Sequence, residues 1–255
     1  MNLSPEQSIQ STERRAYRTP VAPPTGSFLR VILLASLFAT PSTACAADNE
    51  LTDAEKAGGW VLLFDGKSTD GWLDSKEQPV DSSHVSNGTL NPHPCNYMLI
   101  HKEIYDNFKL TLDFRVSPKC NSGVFIRTYP LKPREGKDVG FNGLEVAIDD
   151  THTNGFHDTG ALYDLVRPSK NAMKPQGEWN HMLINCDKNL ISVEVNGAVV
   201  TRTDLDQWTT ANKRPDGTNH KFDVAYKNHP RKGYLGLQDH GSDVWYKNIK
   251  LLRLK

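Results

Sequence analysis

The sequence predicts an all-β protein, a jelly-roll β-sandwich of antiparallel strands with one concave polar face. Three observations carry that prediction. Short apolar runs recur along the chain with Gly-, Asn- and Asp-containing turns between them. One of them, residues 108–116, alternates well with a period of two: Leu110, Leu112, Phe114 and Val116 face one way, Thr111, Asp113 and Arg115 the other. After residue 60 no stretch shows an apolar stripe at helical spacing. Many short antiparallel strands at this spacing pack as a sandwich or barrel.

Taken in order, Thr52-Asp53-Ala54-Glu55 has the form of a helix capping box, and Gly58-Gly59 ends that short helix. Residues 60–64 form an apolar strand that turns at Asp65-Gly66. Ser86-Asn87-Gly88 is a further turn, and residues 97–100 a short strand. Strands follow at 108–116, 122–127 and 144–149. Residues 182–186 and 191–195 pair around Asp187-Lys188-Asn189, and Asn196-Gly197 is a tight hairpin signal leading into 198–200. Residues 234–240 and 244–254 close the chain. The non-core faces of some strands carry charges and amides, which a concave polar surface explains.

Residues 1–46 read as a targeting segment and residues 58–255 as one domain. Arg30 precedes the apolar run 31–39, which is too short to span a bilayer but suits a signal-peptide core. Ala44-Cys45-Ala46 is a small-residue cleavage site, so the mature chain is expected to begin near Ala47, exported to the periplasm or beyond. A lipoprotein anchored through Cys45 is the alternative, weakened by Ser42 standing where a Leu-like residue belongs. The whole chain balances 30 basic against 30 acidic residues, and removing the segment leaves a slight acidic excess. Nucleic-acid binding is therefore not expected. A mean hydropathy of −0.55 excludes a multi-span membrane protein. Cys95, Cys120 and Cys186 have no metal-binding spacing; one disulfide is allowed, and a catalytic thiol is not expected.

Several stretches, in order, resemble the 3-keto-disaccharide hydrolase domain family of the concanavalin A-like lectin/glucanase superfamily. They are Leu63-Phe64-Asp65-Gly66-Lys67 with Gly71-Trp72, Asn121-Ser122-Gly123-Val124-Phe125-Ile126-Arg127, Leu144-Glu145-Val146-Ala147-Ile148-Asp149, and Thr159-Gly160-Ala161-Leu162-Tyr163. Gly177-Glu178-Trp179-Asn180, Val195-Asn196-Gly197, Gly236-Leu237-Gln238-Asp239-His240-Gly241 and Lys247-Asn248-Ile249 complete the set. One departure stands at Ala147, where the family usually has Gln. The resemblance implies a small carbohydrate substrate, a glycoside whose sugar carries a ketone at carbon 3.

Strand alternation puts Glu145, Ala147 and Asp149 on one face of their strand, and Gly123, Phe125 and Arg127 on one face of theirs. Gln238 and His240 likewise share a face opposite Leu237. A surface ion pair between Glu145 and Arg127 is the bland reading. With the resemblance, these residues are expected to converge on the concave sheet. Glu145 and His240 then supply base and acid, in an order the residues leave open. Arg127 suits an enolate oxygen or sugar hydroxyls, and Gln238 offers both donor and acceptor. Asp149 and Tyr163 are added as substrate-binding residues. A ketone at carbon 3 acidifies the hydrogen on carbon 2, so elimination followed by hydration, or direct displacement by water, can cleave the bond.

Two rivals share the fold. A retaining glucanase needs paired carboxylates roughly 5 Å apart. Here Glu145 and Asp149 are separated by about 13 Å of strand, and Ala147 stands between them. A non-catalytic lectin-like module is the other rival, with Trp72, Trp179, Trp208 and Trp245 as candidate sugar platforms. No cofactor is predicted. Asp149, Asp150, His152, His157 and Asp158 gather within about ten residues and allow a divalent metal near Asp149, although a solvated loop is the preferred reading. His93 and His101 have no partner motif. Long loops at 129–143 and 151–178 border the Glu145 strand, and a third spans 201–230.

Overall fold

The structure, a computed structural model, describes residues 47–150 and 155–255. The expected signal segment and His152 lie outside the described residues. The capping box forms as expected: Thr52 accepts from the Glu55 N–H, and the Glu55 carboxylate accepts from the Thr52 N–H, opening the helix Asp53–Ala57 (α1).

Thirteen strands are present among the described residues: β1 Trp60–Leu62, β2 Trp72–Asp74, β3 Val85–Ser86, β4 Thr89–Leu90, β5 Met98–Tyr105, β6 Phe108–Val116, β7 Asn121–Thr128, β8 Leu144–Asp149, β9 Asn180–Asp187, β10 Leu190–Val195, β11 Ala198–Asp204, β12 Gly233–Gln238 and β13 Val244–Arg253. All pairs are antiparallel. One sheet runs β11-β10-β9-β6-β13-β4-β3, with β1 also on β13. The other runs β2-β5-β12-β7-β8. This is the expected jelly-roll sandwich.

The alternation of β6 is realised: Leu110, Leu112, Phe114 and Val116 are buried, and the residues between them are only partly so. They meet Val124 and Ile126 of β7, Leu144, Val146 and Ile148 of β8, and Leu235 and Leu237 of β12 in the core between the sheets. The thiols of Cys95, Cys120 and Cys186 are free and buried there.

A second, smaller apolar cluster lies on the opposite face of the five-stranded sheet. Met98, Ile100 and Phe125 project from β5 and β7 and are covered by Leu131 and Val139 of the 129–143 loop. The loop is held closed by Asn142, whose side-chain amide donates to the carbonyls of Pro130 and Lys132 at 2.8 and 2.9 Å. This part of the sheet's outer face is thereby apolar and roofed. Glu145 of β8 and Gln238 at the end of β12 lie beside it.

Candidate active site

Glu145 stands on β8 between the core residues Leu144 and Val146, so the pleat points it away from the core. Its register partner is Phe125, but its side chain leans across the neighbouring Gly123. A Cβ on Gly123 would fall 2.7 Å from the Glu145 Cγ and Oε1, so only glycine leaves the carboxyl its place. Gln238 Nε2 donates to Glu145 Oε2 at 3.4 Å. The Gln238 side-chain oxygen, Oε1, is buried and accepts no hydrogen bond among the described residues, an acceptor in want of a donor. Gln238 is fixed from behind by Ser122, whose hydroxyl donates to its backbone carbonyl at 2.8 Å.

A chamber of about 30 Å³, room for roughly one water molecule, borders the carboxyl. Its walls include Tyr97, Phe125, Phe141, Tyr163, Lys221 and Phe222. In these aromatic surroundings burial pushes the Glu145 carboxyl up to about 8, and the nearby Lys221 ammonium only partly offsets that. At neutral pH the protonated form of Glu145 is therefore favoured.

The loops supply the rest. Residues 160–163 run along the free edge of β8: the Gly160 N–H donates to the Ala147 carbonyl, the Ala147 N–H to Ala161, and the Tyr163 N–H to the Glu145 carbonyl. This covers an otherwise open strand edge and seats Tyr163 beside Glu145. Asp164 then accepts from the Lys221 N–H at 2.7 Å and from Arg214 at 3.0 Å, drawing the 201–230 loop inward. Lys221 Nζ lies 3.9 Å from the Tyr163 ring centroid. An Arg134–Asp223 ion pair at 2.9 Å joins this loop to the 129–143 loop.

Tyr97 borders both the chamber and a cleft of about 710 Å³. That volume suits a disaccharide-sized ligand. Tyr97 has φ of +121°, a strained backbone for a bulky residue, of a kind that clusters at functional sites. Burial, then the Asp138 and Glu145 carboxylates, push its phenol up. The cleft is also lined by His93, Asp138, Asp239 and His240.

The structure brings Glu145, Gln238 and Tyr163 together. It sets His240 two residues past Gln238, exposed on the cleft. Asp149 ends β8 on the Glu145 side of the strand, paired with Asn121, its N–H donating to Thr159 Oγ1 at 2.9 Å. Arg127 requires a correction. β7 carries an extra residue against β12 at this point, where three steps from Phe125 to Thr128 oppose two from Gly236 to Tyr234. Arg127 also adopts φ of +53°. The bulge breaks the alternation, so Arg127 leaves the Gly123 and Phe125 face and is fully buried, donating to the Asp106 carbonyl at 3.3 and 3.1 Å. The cation beside Glu145 is Lys221.

Among the described residues no group of three or more His, Cys, Asp and Glu side chains is placed to hold a metal ion. Of the four tryptophans considered as sugar platforms, Trp72 and Trp208 are core residues, their indole N–H groups bound to the Leu63 carbonyl and the Thr203 hydroxyl. Trp179 and Trp245 stack on Arg115 at 5.1 and 4.7 Å, on the eight-stranded sheet. None lines the Glu145 chamber or the cleft.

Residues 59–252 match the 3-keto-alpha-glucoside-1,2-lyase-like domain. The chain belongs to that family. It is 27% identical over 229 residues to a 3-keto-disaccharide hydrolase of Bacteroides thetaiotaomicron, an alignment covering 76% of this chain and 78% of the relative. A solved structure from Parabacteroides distasonis, assigned provisionally to the glycosyl hydrolases, is 31% identical with a TM-score of 0.67, covering 76% of this chain and 99% of that one. A second from the same organism has a TM-score of 0.69 at 23% identity, covering 82% and 100%, and shows the shared fold. Membership in this family supports a glycoside hydrolase-like, carbohydrate-directed role. No helix among the described residues is long and apolar enough to cross a membrane.

Proposed function

We propose that this protein cleaves the glycosidic bond of glycosides oxidised to a ketone at carbon 3, with Glu145 as a proton-transfer residue. The observation that carries the reading is a carboxyl group held near pKa 8 beside a lysine, in a family named for 3-keto-glucoside chemistry. Loss of the carbon-2 hydrogen from such a sugar builds negative charge on the ketone oxygen. Lys221 supplies a positive charge for that oxygen, and Tyr97 and Tyr163 supply hydroxyl donors. The side-chain oxygen of Gln238, unpartnered among the described residues, suits a sugar hydroxyl. His240 and Asp149 extend the polar strip on which the rest of the glycoside lies. The protein acts outside the cytoplasm, as the run 31–39 and the Ala44-Cys45-Ala46 site suggest.

The deciding experiment incubates the purified protein with a 3-keto-disaccharide and, separately, with its unoxidised parent. Release of the aglycone sugar from the keto compound alone is the expected result. Equal cleavage of both indicates a conventional glycosidase, and binding without cleavage a lectin-like module.

A further inference from the structure

We propose that His93, oriented by Asp239, is the second proton-transfer residue of this site and acts as the base opposite Glu145. The inference rests on the 3-keto-glycoside reading and assigns the partner that Glu145 needs. His93 Nδ1 lies 2.8 Å from Asp239 Oδ1. An ionised carboxylate only accepts, so Nδ1 carries a hydrogen, and Nε2 is the nitrogen through which the ring gains or loses a proton. Nε2 makes no hydrogen bond among the described residues, and the ring lines the 710 Å³ cleft. Asp239 is itself immobilised, accepting from the Cys95 N–H at 2.7 Å and the Gly241 N–H at 2.9 Å. Burial alone would push its carboxyl up, but these two N–H groups and the His93 ring outweigh that and hold it below the usual range. A fixed, ionised carboxylate behind an imidazole favours the protonated ring that forms when Nε2 takes up a proton.

The two proton-transfer groups are also tied to one piece of backbone. Gln238 bonds Glu145, and Asp239, the next residue, bonds His93 and donates its own N–H to the Tyr97 carbonyl at 2.8 Å. Tyr97 in turn borders both the cleft and the Glu145 chamber. His240 lines the same cleft but is exposed and has no carboxylate partner among the described residues. A Glu145 that rests protonated is an acid, so the base has to come from elsewhere, and His93 is the imidazole built for it.

The steps balance. His93 Nε2 removes the proton from carbon 2, and the bond's electrons pass toward the carbon-3 ketone. Glu145 gives its proton to the glycosidic oxygen as the bond to carbon 1 breaks, leaving a carbon 1–carbon 2 double bond conjugated to the ketone and a free alcohol. Water then adds to carbon 1, its proton passing to the Glu145 carboxylate, and His93 returns its proton to carbon 2. The sum is hydrolysis, with both residues restored.

The test uses 1,5-anhydroglucitol oxidised at carbon 3, which has no glycosidic oxygen on carbon 1 and so no aglycone to expel, and follows deuterium exchange at carbon 2 by NMR in D₂O. Exchange needs the base but not the acid. His93→Gln keeps an N–H donor for Asp239 and is expected to slow exchange by on the order of 10²-fold or more, with unchanged melting. Glu145→Gln is expected to lose cleavage of a 3-keto-disaccharide far more than exchange. His93→Ala should regain exchange when imidazole is added, a result that a merely structural clasp does not give. Wild-type exchange in His93→Gln, or a His93→Ala protein indifferent to imidazole, overturns the inference. Exchange lost only in Glu145→Gln overturns it too and makes Glu145 the base. A wild-type protein that neither exchanges nor cleaves removes the function itself.

Discussion

The Glu145 side chain occupies the space above Gly123, close enough that a methyl group at position 123 would sit 2.7 Å from its Cγ and Oε1. A carboxyl on one strand is thus aimed by the absence of a side chain on the next. The same lean brings it within reach of the Gln238 amide. The site is assembled across β8, β7 and β12 at the level of single atoms.

Gly123→Ala tests this relationship. Its backbone is not in the left-handed region, so the substitution strains only the Glu145 side chain. Glu145 must rotate away, and activity on a 3-keto-disaccharide should fall by about 10-fold or more. The melting temperature should change little, corresponding to about 1–2 kcal/mol at most. Steady-state kinetics and thermal unfolding of the same preparation check both parts.

Stability should depend on pH through Glu145. Its carboxyl is raised from an ordinary 4.5 to about 8 in the folded protein by burial, against the opposing pull of Lys221. The folded state therefore binds this proton more tightly than the unfolded chain. The contribution is fully present below about 4.5 and is lost as pH rises through about 8. The other groups around the carboxyl are Gln238, which does not titrate, and the phenols of Tyr97 and Tyr163. Comparing wild type with Glu145→Gln, the variant should gain stability relative to wild type as pH is raised across that window, by up to roughly 1 kcal/mol per pH unit. A difference that stays flat with pH contradicts the shifted carboxyl.

The β-sandwich was legible because burial follows a period of two in its best strands. Strands β6 and β8 begin and end where the alternation of their residues does. β5 runs on to Tyr105, past the polar Lys102 and Glu103, because its pairing with β12 continues there, Tyr234 opposite Ile104 and Gly233 opposite Tyr105. β2, only Trp72, Leu73 and Asp74, has too few residues to show a period and exists by pairing with β5. The site was legible only where it lies on regular strands. Glu145 and Gln238 follow from alternation, and Arg127 does not, because a bulge at that residue reverses its direction. Lys221 reaches the site through Asp164 and the Arg134–Asp223 pair, contacts between loops that leave no local pattern. His93 and Asp239 stand 146 residues apart and meet only in the fold.

Arg127 should behave as a structural residue. It is fully buried, and its guanidinium holds the Asp106 carbonyl at the turn between β5 and β6. Arg127→Met should cost about 2–4 kcal/mol of stability by leaving that carbonyl unpaired and a side-chain volume poorly filled. The molecules that remain folded should keep kcat and KM within about 2-fold of wild type, well inside the effect of a lost catalytic group. Denaturant titration paired with kinetics at low temperature separates the two effects.

The most direct measurement is the turnover of a 3-keto-disaccharide by Glu145→Gln against wild type, at neutral pH and with both proteins shown to be folded. Glutamine keeps the shape and the contact with Gln238 but has no proton to exchange. The account predicts a loss on the order of 10²–10⁴ in kcat, the range expected when an acid–base residue is removed. A Glu145→Gln protein that turns the keto sugar over at the wild-type rate contradicts it.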